Sequence, residues 1–234
     1  IQAGAPIKLL VEQAANEWSI VVTNDIQTCA DLDGKRLAIH SEGSISGAMV
    51  RAYIASECPE AEPEFLIVPG SENRAAALLA GEIDATPAEL ADKVILVGEN
   101  PDRFRVLANF AEDLPNLITS VYSTNTELGE DDQAIVRAFL RELLTVHRNV
   151  ASDPSILGAA AVEYLDSDPA EAATAAEAYL AIDAFALDGG LDPDSVQYTL
   201  EFLEGAEQLE PGLTPQDAAA FDILESVLAD MGNP

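Results

Sequence analysis

The amino-acid sequence predicts an α/β protein, with a mostly parallel sheet in its first half and helices in its second. Three observations lead there. Between residues 1 and 126 short apolar runs alternate with helical patterns, from 127 to 234 the spacing is almost wholly helical, and no internal repeat or Pro/Ser-rich linker interrupts the chain. Strands that alternate with helices are joined by crossovers and so lie mostly parallel.

Taken in order, Ile7-Lys8-Leu9-Leu10-Val11 reads as a buried strand and residues 18–23 as a second. Residues 28–32 form a short helix or turn, broken by Asp33-Gly34. Residues 36–40 are a strand, followed by Ser41-Glu42-Gly43-Ser44-Ile45-Ser46-Gly47 and a helix carrying Met49, Val50, Tyr53 and Ile54. The next strand covers 65–68, a helix runs over 72–80 until Gly81 stops it, and 83–86 is a short strand. The runs 94–97 and 104–107 are candidates for further strands. One more extended run, 117–123, opens the second half, and helices then cover 131–151, 155–164, 169–184, 193–204 and 215–231. Their starts are marked by Asp153-Pro154, Asp168-Pro169 and Thr214-Pro215, each a capping side chain before a proline that fits the first helical position. Val136, Leu140, Leu143, Leu144 and His147 share one stripe suited to packing on a sheet.

Charge excludes whole classes of partner. With 42 Asp and Glu against 11 Lys and Arg, the formal net charge is −31. Such a field repels phosphate backbones and anionic lipid surfaces, so no nucleic-acid partner is expected. The acids are interleaved with Ala and Leu and read as a solvated surface; adaptation to high salt is the other reading. No apolar run approaches the length of a membrane-spanning helix. The opening residues Ile1-Gln2-Ala3-Gly4-Ala5-Pro6 lack the basic and apolar regions of a signal peptide. Cys29 and Cys58 make neither a metal cluster nor a disulfide framework; a single bridge and two buried thiols both stay open. His40 reads as a strand-end histidine and His147 as a helix-surface histidine. No cofactor or metal motif is present, and no catalytic machinery is legible.

The best site candidate is the strand–turn–helix over residues 37–54. The first amides of a helix are unpaired and carry partial positive charge, and after a parallel strand they point into the crevice where ligands bind. Gly43 lets a ligand approach the backbone, while Ser44 and Ser46 offer hydroxyls. The competing reading is that one serine simply caps the helix. The turn is neither a P-loop nor a nucleophile elbow, since no Gly-Lys-Ser/Thr follows and no serine stands midway between Gly43 and Gly47.

Three stretches, in order, resemble one family. Ile26-Gln27-Thr28-Cys29-Ala30-Asp31-Leu32-Asp33-Gly34-Lys35-Arg36-Leu37-Ala38-Ile39 runs on into Gly43-Ser44-Ile45-Ser46; Ala75-Ala76-Ala77-Leu78-Leu79-Ala80-Gly81-Glu82-Ile83-Asp84-Ala85 follows; and Gly189-Gly190-Leu191-Asp192-Pro193-Asp194-Ser195-Val196-Gln197-Tyr198-Thr199-Leu200-Glu201-Phe202-Leu203 closes the set. These are similar to motifs of the NMT1/THI5-like solute-binding proteins of ABC importers, the sulfonate, nitrate, taurine and thiamine-precursor group. The resemblance implies a type II periplasmic-binding-protein fold with two lobes of mostly parallel sheets. Lobe two would span 19–112 and lobe one 1–18 with 113–234, the latter completed by C-terminal helices. Family members begin with further strands and helices of lobe one, so the resemblance implies that lobe one is incomplete here. By matching position, Gly43, Ser44 and Ser46 would touch a small-molecule ligand, Thr86 and Glu89 would line the same cleft, and Trp18 and Asn116, near the crossovers, would be further ligand contacts, with a core anchor as the other reading of Trp18. The ligand would be a sulfonate, nitrate, carboxylate or uncharged pyrimidine-like molecule, and Arg74 is the nearest cation an anionic one would find. The resemblance further implies an ABC permease as partner, a monomer, and a periplasmic or extracellular location with a lipid anchor as an option. Enzymes of the thiamine-pyrimidine and menaquinone pathways share the fold, so an enzyme or a ligand-sensing domain is the alternative.

Overall fold

The computed structural model describes residues 1–232. The chain forms two compact units, one of Glu17–Pro115 and one of Ile1–Asn16 with the chain from Asn116 onward. In order, the elements are β1 (Ile7–Ala14), β2 (Ser19–Thr23), a 3₁₀ turn at Cys29–Leu32, β3 (Arg36–Ile39), α1 (Ile45–Glu57), β4 (Glu64–Ile67), α2 (Ser71–Ala80), β5 (Ala85–Ala88), α3 (Leu90–Glu99), β6 (Phe104–Asn109), α4 (Phe110–Asp113), β7 (Ser120–Asn125), α5 (Glu130–Ser152), α6 (Ser155–Leu165), α7 (Pro169–Ala181), α8 (Pro193–Gly205), α9 (Pro215–Ala218) and α10 (Phe221–Met231).

Within Glu17–Pro115 the sheet order is β4-β3-β5-β2-β6. Strand β3 pairs parallel with β4 and β5, whereas β2 pairs antiparallel with both β5 and β6. Four strands therefore point the same way and β2 is inserted between two of them in reverse. Between β2 and β3 lie residues 24–35 with only the 3₁₀ turn, while every later step passes through an α-helix, which allows a parallel return. Strand β2 is buried along four of its five residues. Val21, Ala38, Ala75, Leu78, Ile83, Ala88, Leu96 and Phe104 pack as one core cluster.

Two expectations change here. The 94–97 run lies in α3, where Leu96 is fully buried. Strands β5 and β6 point the same way with β2 between them, so the connection needs a crossover helix, and that demand overrides a local Val/Ile preference. The 83–86 strand begins two residues later, because Asp84 is held before it: its carboxylate takes a fork from Arg36 (2.7 and 2.9 Å) and the Arg36 amide (2.9 Å). The Asp84 carboxyl is held below its usual range by that hydrogen bonding. Cys29 and Cys58 form a disulfide that ties the 3₁₀ turn to the end of α1.

In the other unit, β1 and β7 form an antiparallel ribbon, so the expected parallel pairing does not hold there. Ala14 faces Ser120, the ends from which the chain leaves and to which it returns, and an exit and return at one edge gives antiparallel strands. Leu10 and Val11 pack with Ile118, Leu140, Leu144, Val196, Leu200, Leu224 and Val227 into the core of this unit. The expected 117–123 strand starts at Ser120, and Ile118 before it is tied by its amide to the Thr199 hydroxyl (3.0 Å). The expected 215–231 helix is split: Ala219 bridges to Leu9 and the Ala220 amide donates to the Leu9 carbonyl (2.9 Å), which takes two residues out of helical geometry. His147 is buried, not on the surface. Its spacing from Leu140 and Leu144 puts it on the inward face of α5, where Nδ1 lies 3.2 Å from the Ala186 carbonyl and the ring stacks 5.4 Å from Phe185. Burial pushes its pKa down.

Candidate ligand-binding site

The parallel direction of β3, β4 and β5 sends the helices that follow them, α1, α2 and α3, off one edge of the sheet with their N-termini together. Because β2 is reversed, its start lies at that same edge: Ser19 faces Ala88 on β5 and Asn109 on β6. Glu17 and Trp18, which immediately precede it, are delivered beside the three helix starts.

Each start is built differently. Ser44 caps α1, accepting from the Gly47 amide (3.2 Å) and donating to the Ser41 carbonyl (2.8 Å). Gly47 is obligatory for close approach, since a Cβ there would fall 2.9 Å from the Ser44 hydroxyl oxygen. Ser46, inside the first turn, is buried, and Gly43 stands in the open with nothing within 4 Å of a Cβ. At α2 the Gly70 amide donates to His40 Nδ1 (3.2 Å), and Gly70 takes a positive φ of 88° that a side chain would strain. At α3 the Glu89 amide donates to the Ser71 hydroxyl (3.2 Å), and the Leu90 amide donates to the Glu17 carboxylate (3.1 Å).

Arg74 holds these pieces in register. It is fully buried, and it donates to the Thr86 hydroxyl (3.0 Å) and to the carbonyls of Val68 (3.1 Å), Gly70 (3.0 Å) and Pro87 (3.2 Å). Thr86 in turn donates to the Ala38 carbonyl (3.1 Å). One guanidinium thereby links the loop after β4 to strand β5, and burial lowers its pKa. Its centre lies 5.9 Å from the Trp18 ring. The expectation that Arg74 would meet an anion is corrected: its donors are turned inward to carbonyls, and none of its surface reaches solvent.

The electrostatics of this edge are set by acids. Burial first, then Glu17 and Asp92, push the Glu89 carboxyl up to about 7, with Arg74 pulling the other way. Burial also raises Asp92 against the hydrogen bond from Ser71. Lys93 is pushed down by burial, opposed by Glu17 and Glu112. Near neutral pH Glu89 is thus poised to donate or accept a hydrogen bond.

Of the residues singled out from sequence, Trp18, Thr86 and Glu89 come together with Arg74, and Gly43, Ser44 and Ser46 form the neighbouring helix start. Thr86 is buried and its hydroxyl is engaged. Asn116 belongs to the other unit and is exposed there. Glu17 and Ser71 were not anticipated; the signals were an acid next to the lone Trp before a strand, and the Pro69-Gly70-Ser71 step into a helix. The Ser44 hydroxyl has a carbonyl and an amide as its partners, not a base, so it is not set up as a nucleophile. Among the described residues no group of three His, Cys, Asp or Glu side chains is placed to hold a metal ion.

The NMT1/THI5-like family profile matches residues 2–155. The chain belongs to the NMT1/THI5-like family. A search of curated proteins finds no match. Among solved structures, this NMT1/THI5-like chain is similar to the ligand-binding component of an ABC-type import system from Staphylococcus aureus, with zinc bound (13% identity, 97% of this chain and 76% of that one, TM-score 0.77). It is similar too to the periplasmic nitrate-binding protein NrtA from Synechocystis PCC 6803 (12% identity, 98% and 69%, TM-score 0.73). The desulfurization enzyme DSZB also shares the fold (15% identity, 99% and 82%, TM-score 0.68). The fold is that of the type II periplasmic binding proteins. No helix among the described residues is long and apolar enough to cross a membrane.

Proposed function

We propose that this NMT1/THI5-like protein is the solute-binding receptor of an ABC importer, with Glu17–Pro115 as its ligand-binding lobe, and that its ligand is an uncharged nitrogen heterocycle of the pyrimidine type. The receptor role is supported by the family, by the import-system components that share the fold, and by a helix start at Ser44 whose hydroxyl is used for capping. The Cys29–Cys58 bridge suits an oxidising periplasmic or extracellular setting, and the monomer that partners an ABC permease is the matching assembly.

The single observation that carries the ligand class is the enclosure of Arg74. A sulfonate, nitrate or carboxylate finds little full positive charge at this edge beyond the helix-start amides: the guanidinium is engaged with carbonyls while Glu89, Asp92 and Glu72 bear on it, and Lys93 lies against Glu17 and Glu112. A heterocycle instead finds the Trp18 ring to stack on, a Glu89 carboxyl that can both donate and accept, and the first amides of α1. A thermal-shift screen of aminopyrimidines, alkanesulfonates, nitrate and aromatic acids tests this. Aminopyrimidines are expected to raise the melting temperature and Glu89→Ala to abolish the rise; stabilisation by sulfonates or nitrate alone would overturn the ligand class. The presence of DSZB on this fold favours one second reading, an enzyme. Turnover of any stabilising compound, followed by product analysis, would establish that reading in place of the receptor.

A further inference from the structure

A cavity of about 570 Å³ lies on the Glu17–Pro115 unit, along the flank of α1 and beside α4, whose first residue Phe110 donates its amide to the Trp18 carbonyl (2.9 Å). It is lined by Met49, Ala52, Tyr53, Ser56, Glu57, Phe110, Asp113 and Leu114, that is, by the flank of α1 toward its C-terminal end and by α4. The residues from α1 recur at helical spacing and so present one face. Its floor is apolar and aromatic: Met49 and Phe110 are buried, and Tyr53 meets Phe110 edge to face at 6.3 Å. Its rim is acidic. Glu57 and Asp113 are exposed, the Glu57 carboxylate accepts from Ser56 (3.1 Å), and both acids bear on the Tyr53 hydroxyl, which burial and then these two charges push above its ordinary range. No Lys, Arg or His lines the cavity.

We infer that this cavity is a second binding site, for a small organic cation whose apolar body rests on Tyr53, Ala52 and Leu114, above the buried Met49 and Phe110, while its charge meets Glu57 and Asp113. Volume, aromatic floor and charge point to the same occupant. The volume falls in the range of small-molecule sites, aromatic faces attract cations, and the two carboxylates have no basic residue in the lining to neutralise them. An anion of the same shape would meet repulsion from both acids and from the negative charge of the whole chain. The inference does not depend on which ligand the α1–α3 edge takes.

The test is calorimetric titration of the full chain with benzyltrimethylammonium at near-physiological ionic strength, beside the neutral and anionic aromatic probes benzyl alcohol and benzoate. The cation is expected to bind saturably, to shift the Met49 methyl resonance, and to bind at least about tenfold more weakly to the Glu57→Gln/Asp113→Asn variant. Removing two exposed charges elsewhere, with Glu142→Gln/Glu225→Gln, should change affinity by less than about twofold. All these acids are exposed, so folding is retained, with circular dichroism as the check. The inference is overturned if the cation does not saturate, if the neutral probe or benzoate binds as well, or if the distant charge pair matters as much as the rim pair.

Discussion

Glu12 offers a sharp test of how this fold handles its charge. It lies on β1, and its carboxyl presses against the loop before α8, where a Cβ on Gly190 would collide with its Oε2. Burial, then Asp192 and Asp188, raise its pKa from 4.5 to about 8, while Asp192, in spite of its own burial, is kept low by the hydroxyl and amide of Ser195. The native state therefore holds a proton that the open chain releases. An acid raised in this way contributes stability that is fully present below pH 4.5 and is lost as pH climbs to about 8. That interval corresponds to about 5 kcal/mol at most, and partial contact with water trims it to about 2–4 kcal/mol. Glu12→Gln keeps the shape and cannot ionise. Urea unfolding at pH 5, 7 and 9 should show wild type losing that amount relative to the variant across the series. Equal pH profiles for the two proteins would refute the buried, protonated carboxyl.

Two further outcomes are expected. Arg74→Met removes the side-chain donor shared by the carbonyls of Val68, Gly70 and Pro87 and should cost about 3 kcal/mol in urea unfolding, with Arg74→Lys recovering only part because one ammonium cannot span from the loop after β4 to β5; a loss under about 1 kcal/mol would contradict the clamp. Opening the disulfide, whose cysteines are 29 residues apart, should cost about 3 kcal/mol between oxidised and reduced protein, and Cys29→Ala/Cys58→Ala should match the reduced form.

Local chemistry made much of this fold readable. Gly81 in the left-handed region ends α2 where the sequence places the stop, and Asp168 and Asp192 cap α7 and α8 ahead of their prolines. What was illegible depends on partners distant in the chain. Val94 to Val97 have strand-like side chains but lie in α3, because the direction of β6 requires a crossover. The gap between α9 and α10 is imposed by Leu9, more than 200 residues earlier, and nothing in the alanines around it announces a break. The site divides in the same way. The Ser44 turn is a local pattern and was visible; its capping bonds are what such a turn makes by itself. The cluster of Trp18, Arg74 and Glu89 exists because β2 is reversed, a topological fact that no window of sequence contains. Arg74 illustrates the cost: in sequence it is a free cation near a site, whereas in the fold its donors are consumed by backbone.

The central claim is that the α1–α3 edge binds an uncharged heterocycle and performs no chemistry on it. Trp18 is the only tryptophan, so its emission reports this edge without a label. Titration with an aminopyrimidine should change that emission saturably, weaken with Glu89→Ala, and return the compound unaltered, while methanesulfonate and nitrate leave the signal flat. Saturation by methanesulfonate or nitrate, an unchanged response in Glu89→Ala, or recovery of a converted product would contradict the account.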